Sequence, residues 1–142
     1  MYPVTLVQDE QGQYVVTSPD VPEAITDGAS QQQALREMGE ALGAALAGYA
    51  IEGRDIPTPS EPEPGQRLVP VAPLVAAKLA LRTALREEGM TNVALADRLG
   101  VTEGAVRRLV DPDHASRLDR VVIALAAIGR GLVVEDLKQV AA

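Results

Sequence analysis

A proline-rich segment divides the sequence into two parts. The stretch IPTPSEPEPGQRLVP, residues 56–70, contains five of the ten prolines in the chain. Proline fixes φ and has no amide hydrogen to donate, so this stretch is excluded from a helix interior or a central strand. We expect a linker over residues 57–71, within which QRLVPV can form a short edge strand. The rest of the sequence then forms two modules, residues 1–56 and 72–142.

The two parts of the chain differ in charge. Residues 1–66 contain eleven acidic and two basic residues, a net charge of −9. Residues 67–142 contain nine acidic and eleven basic residues, a net charge of +2. Such an asymmetry indicates two modules with two different partners.

Composition excludes several classes of protein. The chain has no cysteine and a single histidine, His114, so it predicts neither disulfides nor a zinc site, and no cofactor. The N-terminus lacks the basic start and apolar run of a signal peptide. No apolar run reaches the roughly 18 residues that a membrane span requires. We therefore expect a cytoplasmic protein without a membrane partner.

The first module has the pattern of an antiparallel sheet covered by a helix. YPVTLVQ, QYVVTS and EAITDG are typical of strands, and the DEQG between the first two is typical of a hairpin turn. Ser30 and Gln33 fit a capping box at the start of a helix. Apolar residues then recur every three or four positions as far as Gly53, which predicts a helix with one buried face.

The second module is predicted to be all helical. Four helices are expected, over residues 73–89, 91–100, 102–110 and 116–129. Ser116 is expected to cap the last of these helices. The GLVVEDL that follows is strand-like and short. Together the modules predict an α+β chain.

The stretch NVALADRLGVTEGAVRRLV, residues 92–110, has the pattern of a helix-turn-helix. Ala96 supplies the small residue where the two helices cross, and Gly100 supplies the positive φ of the turn. Thr102 is expected to cap the second helix, so that its N-terminus is free to meet phosphates or base edges. The inner positions are apolar, namely Leu95, Leu99, Val101, Val106 and Leu109.

The second helix of this motif carries side chains suited to the major groove. Arginine can bind guanine through two hydrogen bonds, and glutamate can accept one from cytosine. The predicted DNA-binding residues are Asn92, Thr102, Glu103, Gly104, Arg107 and Arg108. Five acidic residues and five arginines balance over residues 91–120, so a single copy neutralises few phosphates. We therefore expect a homodimer or higher oligomer on a palindromic operator.

The whole chain resembles the HicB-type antitoxins of bacterial toxin–antitoxin systems, in the subgroup with a C-terminal helix-turn-helix. The resemblance rests on YPVTLVQDEQGQYVVTSPDVPEAITDGAS, on the following helix to EGRDIPTPS, and on PLVAAKLAL before the motif. It implies a partial RNase H-like fold without nuclease activity in the first module. It also implies binding of a small basic mRNA-cleaving toxin, HicA, and repression of the antitoxin's own operon.

Some roles in the first module stay open at this stage. Tyr14 is a candidate for either the core or the interface with a toxin. The loop formed by Asp20, Val21, Pro22 and Glu23 is either a toxin contact or a plain connection. No acidic residue lies in the middle of a predicted strand, where a two-metal nuclease site would need one, so we expect no catalysis. The rival interpretation is a stand-alone repressor whose first module binds a ligand or oligomerises.

Overall fold

The computed structural model describes residues 1–138 of the chain. It is an α+β protein with one four-stranded antiparallel sheet and five helices in the described residues. The chain divides into two compact units, built on Met1–Ala72 and Pro73–Asp136. No helix within residues 1–138 has both the length and the apolar character needed to cross a membrane.

The first unit is a sheet with one long helix packed on it. Strands β1 (Tyr2–Gln8), β2 (Tyr14–Thr17) and β3 (Ile25–Gly28) form the predicted meander. The segment QRLVPV contributes β4 (Arg67–Val69), which pairs with β1 and gives the order β3-β2-β1-β4. Helix α1 (Gln31–Ile51) packs against the sheet.

Helix α1 begins where its sequence predicts. The Ser30 Oγ accepts a hydrogen bond from the Gln33 amide at 3.2 Å. The reciprocal half of the capping box, from the Ser30 amide to the Gln33 side-chain oxygen, is not among the hydrogen bonds of residues 1–138; the Gln33 side-chain nitrogen donates to Glu37 at 3.2 Å. The apolar face of α1 is buried as the spacing predicts, through Ala34, Leu35, Met38, Leu42, Leu46 and Tyr49.

The proline-rich segment is fastened to the first unit rather than left free. The Tyr2 hydroxyl donates to the Pro57 carbonyl at 2.6 Å. The Asp20 carboxylate accepts from the Ser60 amide at 2.9 Å and from its hydroxyl at 3.1 Å. With β4 at its end, the segment is held at three places along its length.

The second unit contains α2 (Pro73–Glu87), α3 (Asn92–Leu99), α4 (Glu103–Val110) and α5 (Leu118–Ala127). Their inner faces form one apolar core, made of Ala77, Leu81, Ala84, Leu85, Leu95, Ala96, Val106, Val110, Val121, Ala124 and Leu125.

Two predictions for the second unit are wrong. Ser116 does not cap α5, because the N-cap position belongs to Arg117 and the Ser116 hydroxyl is used by Lys78. The GLVVEDL segment, residues 131–137, forms no strand. A strand needs a neighbour to receive its hydrogen bonds, and the unit from Pro73 to Asp136 is otherwise helical. Val133 and Val134 are accordingly exposed.

Two glycines of α1 provide a test of how closely α1 packs against the residue that follows β4. A Cβ added at Gly39 would lie 3.0 Å from the Pro70 carbonyl oxygen, whereas one added at Gly48 meets nothing within 4 Å. We expect Gly48→Ala to stabilise the chain by about 0.5–1 kcal/mol through helix propensity. Gly39→Ala should destabilise it by about 1–2 kcal/mol, because the Pro70 carbonyl must move. Urea unfolding measures both, and equal stabilisation by the two variants would contradict this packing.

Candidate functional site

Helices α3 and α4 are joined by a tight turn that their sequence dictates. Gly100 adopts φ 67° and ψ 33°, a left-handed conformation that glycine reaches without a steric penalty. The Val101 amide donates to the Ala96 carbonyl at 3.0 Å across this turn. The Thr102 hydroxyl then accepts from the Ala105 amide at 3.2 Å and begins α4. The predicted turn glycine and threonine cap are both confirmed.

Helix α4 has one buried face and one charged face. Val106 and Val110 are buried in the core, whereas Arg107 and Arg108 are exposed. Arg107 forms an ion pair with Glu103 one turn earlier, and its hydrogen bonds hold the pKa of the Glu103 carboxyl below the usual range. Arg108 has no ion-pair partner among residues 1–138. The free cation of this face is therefore Arg108, whereas part of the donor set of Arg107 is already used by Glu103.

The other predicted DNA-binding residues lie at helix starts. Thr102 and Gly104 stand at the first turn of α4, and a Cβ added at Gly104 would approach only side-chain atoms, at 3.7 Å or more. Asn92 is the first residue of α3 and is half-buried. The structure thus groups Thr102, Glu103, Gly104, Arg107 and Arg108 on α4 and places Asn92 on the neighbouring helix.

A groove of about 290 Å³ lies beside the charged face of α4. Three arginines line it, namely Arg108 from α4 with Arg117 and Arg120 from the start of α5. Its apolar lining consists of Leu99, Val101, Ala105, Leu109 and Ile123. Arg117 and Arg120 were not predicted as site residues, although both were counted in the charge balance of residues 91–120. Sequence spacing alone does not show that the start of α5 returns to α4.

Lys78 is a third residue that sequence reasoning did not place near the site. Its side chain lies on the apolar face of α2 and is fully buried. The ammonium donates to the Arg108 carbonyl at 2.8 Å, the Asp111 carbonyl at 2.9 Å and the Ser116 hydroxyl at 2.7 Å. Burial lowers the pKa of Lys78, and the Asp111 carboxylate opposes that shift. The sequence pattern that could have predicted its burial is its position beside Ala77 and Leu81, on the face of α2 that packs into the core.

The five residues proposed for a protein partner in the first unit are not equivalent. Val21 is fully buried, so its side chain belongs to the core and is not accessible to a partner. Pro22 and Glu23 are exposed, and Asp20 is half-buried with its carboxylate bound to Ser60. Tyr14 is half-buried and opposes Gln8 and Gly28 in the sheet.

Glu23 belongs to a cluster that the sequence did not reveal. Its carboxylate accepts a short hydrogen bond from the Tyr49 hydroxyl and lies 3.4 Å from Arg54. The Arg54 guanidinium stacks 3.7 Å from the centre of the Tyr49 ring. The Tyr49 hydrogen bond is the main reason that the pKa of Glu23 is lowered. This cluster ties the loop before β3 to the C-terminal end of α1.

The acidic residues of the first unit are dispersed. Asp9 accepts hydrogen bonds from the Gln11 and Gln13 amides in the hairpin turn, and Asp27 lies on β3. Within the described part of the chain, no group of three or more histidine, aspartate or glutamate side chains is placed to hold a metal ion. His114 lies in the connection between α4 and α5, where its Nδ1 is 3.3 Å from the Ser116 hydroxyl.

Comparison with known proteins gives a consistent result. Residues 1–80 match the family described as HicB_like antitoxin of bacterial toxin-antitoxin system. The chain is 37% identical to Antitoxin HicB 1 of Photorhabdus laumondii over 131 residues, covering 92% of this chain and 83% of that one. It is 34% identical to Antitoxin HicB of Escherichia coli K12, covering 92% and 95% respectively. It is 35% identical to Antitoxin HicB of Pseudomonas fluorescens, covering 89% and 88%.

Removal of the Tyr49 hydroxyl tests the cluster at Glu23. A carboxyl whose pKa is lowered by folding stabilises the fold at neutral pH, and that contribution is lost as the pH falls through its folded-state pKa. Tyr49→Phe should therefore raise the pKa of Glu23 towards its usual range. It should also lower Tm at neutral pH by more than it does below about pH 4. Carboxyl NMR titration and thermal unfolding measure these two effects.

Tyr14→Phe is the matched control, since no hydrogen bond of the Tyr14 hydroxyl is found in residues 1–138. An unchanged Glu23 titration in Tyr49→Phe would show that the hydrogen bond is absent in solution.

Proposed function

We propose that this chain, which belongs to the HicB-like antitoxin family of bacterial toxin–antitoxin systems, neutralises a small basic mRNA-cleaving toxin of the HicA type and represses its own operon. The observation that carries the proposal is the match of residues 1–80 to the antitoxin family, with relatives named as antitoxins along most of the chain. In this account the protein is a cytoplasmic regulator and not an enzyme.

We assign toxin binding to the first unit because of its charge. Residues 1–66 carry a net charge of −9. A toxin that cleaves mRNA must bind a polyanion, so an acidic partner can occupy the same surface and accelerate the encounter electrostatically. In this proposal the sheet and α1 form a partial RNase H-like scaffold without catalytic carboxylates. Pro22, on the loop before β3, is the exposed candidate contact that is free of the Tyr49–Arg54 cluster.

We assign operator binding to α3 and α4 as a helix-turn-helix. The support is the left-handed Gly100, the Thr102 cap and the exposed arginines of α4. Helices of this kind enter the major groove with their N-terminal residues near the bases. Arg108 lies in the last turn of α4, but its guanidinium reaches back to 3.7 Å from a Cβ built at Gly104 in the first turn, and in this proposal it reads bases there. Arg117 and Arg120 contact phosphates at the edge of the groove. The balanced charge of residues 91–120 calls for a homodimer on a palindromic operator, because two copies double the phosphate contacts.

Loss of both α4 arginines should separate the two activities. Arg107→Ala with Arg108→Ala is expected to reduce affinity for duplex DNA from the region upstream of the coding sequence by about a hundredfold, since each good base contact contributes about 1–3 kcal/mol. Neutralisation of the toxin in a growth assay should remain. Arg36→Ala with Arg82→Ala removes the same charge outside α4 and should leave both activities unchanged.

Loss of toxin neutralisation in the α4 variant would contradict the separation of roles. Full operator binding in that variant would contradict the assignment to α4. If the unmodified chain binds operator DNA but does not relieve the toxicity of the product of an adjacent small gene, the stand-alone repressor is favoured.

Salt concentration should affect the binding of the two partners in different ways. For the toxin it changes the association rate, and for DNA it changes the binding constant. The association rate with the toxin is expected to fall as salt rises, because exposed charges are screened beyond about 10 Å at 0.1 M. For DNA, Arg117→Ala with Arg120→Ala should reduce the salt slope of the binding constant by about 2 for each copy, and so by about 4 for a bound homodimer. Stopped-flow fluorescence and anisotropy titrations measure these quantities. A salt-independent association rate would contradict electrostatic steering by the acidic unit.

A further inference from the structure

We infer that Lys78 is a positioning residue for DNA binding, which fixes the C-terminal end of α4 and with it the arginine face of that helix. The inference rests on the proposed DNA-binding role of α4. Lys78 itself is fully buried and has no contact with a ligand surface, so its role is exerted through the residues that it holds.

The geometry of the site matches a protonated lysine. A lysine ammonium has three N–H donors and no acceptor. Three oxygens surround it at 2.7–2.9 Å, from the Arg108 carbonyl, the Asp111 carbonyl and the Ser116 hydroxyl. The set of acceptors is therefore complete for the charged form, and no carboxylate is within ion-pair distance in the described residues.

The position of the ammonium explains how a charge is tolerated without a carboxylate. The last four carbonyls of a helix have no partner within the helix, and the helix dipole places partial negative charge there. Lys78 donates to one of these carbonyls, at Arg108, and the remaining donors hold the connection that follows α4. The C-terminal end of α4 and the start of the connection to α5 thus share one donor group from α2.

The residue whose carbonyl is held is also the free cation of the α4 face. Arg108 combines a backbone oxygen fixed by Lys78 with an exposed side chain that lines the groove. Ser116 directly precedes Arg117, another arginine of the groove. One buried donor therefore sets the backbone from which two groove arginines project. Apolar side chains of α2 and α4, among them Leu81 and Val106, pack together in the same core, but apolar attraction is not directional.

A chemical substitution can separate the charge of Lys78 from its volume. The chain has no cysteine, so Lys78→Cys creates a unique thiol. Alkylation of the unfolded variant with 2-bromoethylamine restores an ammonium on a side chain of lysine length. Alkylation with 1-bromopropane gives a neutral side chain of the same length. Both full-length products are refolded, and helix content is checked at a temperature well below every Tm.

Fluorescence anisotropy with duplex DNA from the region upstream of the coding sequence gives the decisive comparison. We expect the neutral product to bind this DNA about tenfold more weakly than the unmodified chain, comparable to the loss of one base contact. The aminoethyl product should bind within about twofold of it, since the donor geometry is restored. Lys138→Met, which removes the other lysine, should bind as the unmodified chain does. A folded neutral product with full affinity would overturn the inference.

Ser116→Ala provides a second, milder variant in case the neutral product does not fold. It removes one of the three acceptors and leaves the ammonium and α4 in place. We expect faster amide exchange over residues 107–110 and about two- to threefold weaker DNA binding, because only one of the three hydrogen bonds of Lys78 is lost. Unchanged affinity and exchange in this variant would overturn the inference. Absence of DNA binding by the unmodified chain would instead overturn the proposed function, which keeps the two failures distinct.

Discussion

Five prolines between residues 56 and 70 impose the constraint on which the rest of the organisation depends. They remove amide donors and fix φ, so the segment cannot continue α1 or enter the middle of the sheet. It runs instead as an extended chain, held by Tyr2 and by Asp20, until β4 pairs with β1. The four-stranded sheet that packs against α1 is therefore complete before α2 begins. The acidic residues of the first unit and the arginines of α4 thus belong to separate units.

Within the second unit, a polar contact complements the apolar core. The core brings α2, α3, α4 and α5 together, but the hydrophobic attraction that forms it is not directional. Lys78 adds a directional contact, because its three hydrogen bonds fix the last carbonyls and the connection after α4. A buried unpaired ammonium is costly, so the arrangement is stable only while those oxygens stay in place. In our account this geometry is what α4 requires to present arginines to DNA.

Local signals were predictable from the sequence, and long-range polar partners were not. The strands of the meander, the caps at Ser30 and Thr102 and the turn at Gly100 depend on nearby residues, and the structure has them as predicted. Ser116 looked like a helix cap because its sequence neighbours favour one, but Lys78, 38 positions earlier, uses its hydroxyl. The sequence places Glu23 only in a loop that is either a toxin contact or a plain connection, whereas Tyr49 and Arg54 hold its carboxylate. Such pairings depend on tertiary placement, which periodicity does not encode.

The central claim is that the acidic unit by itself neutralises the toxin, and growth rescue by a fragment ending at Ala72 tests it most directly. That fragment contains the whole sheet, α1 and the fastened proline-rich segment. Co-expressed with a HicA-type toxin, it is predicted to restore growth and to form a stable complex with that toxin. A fragment that is folded by circular dichroism yet fails to restore growth, while the full chain succeeds, would contradict the account.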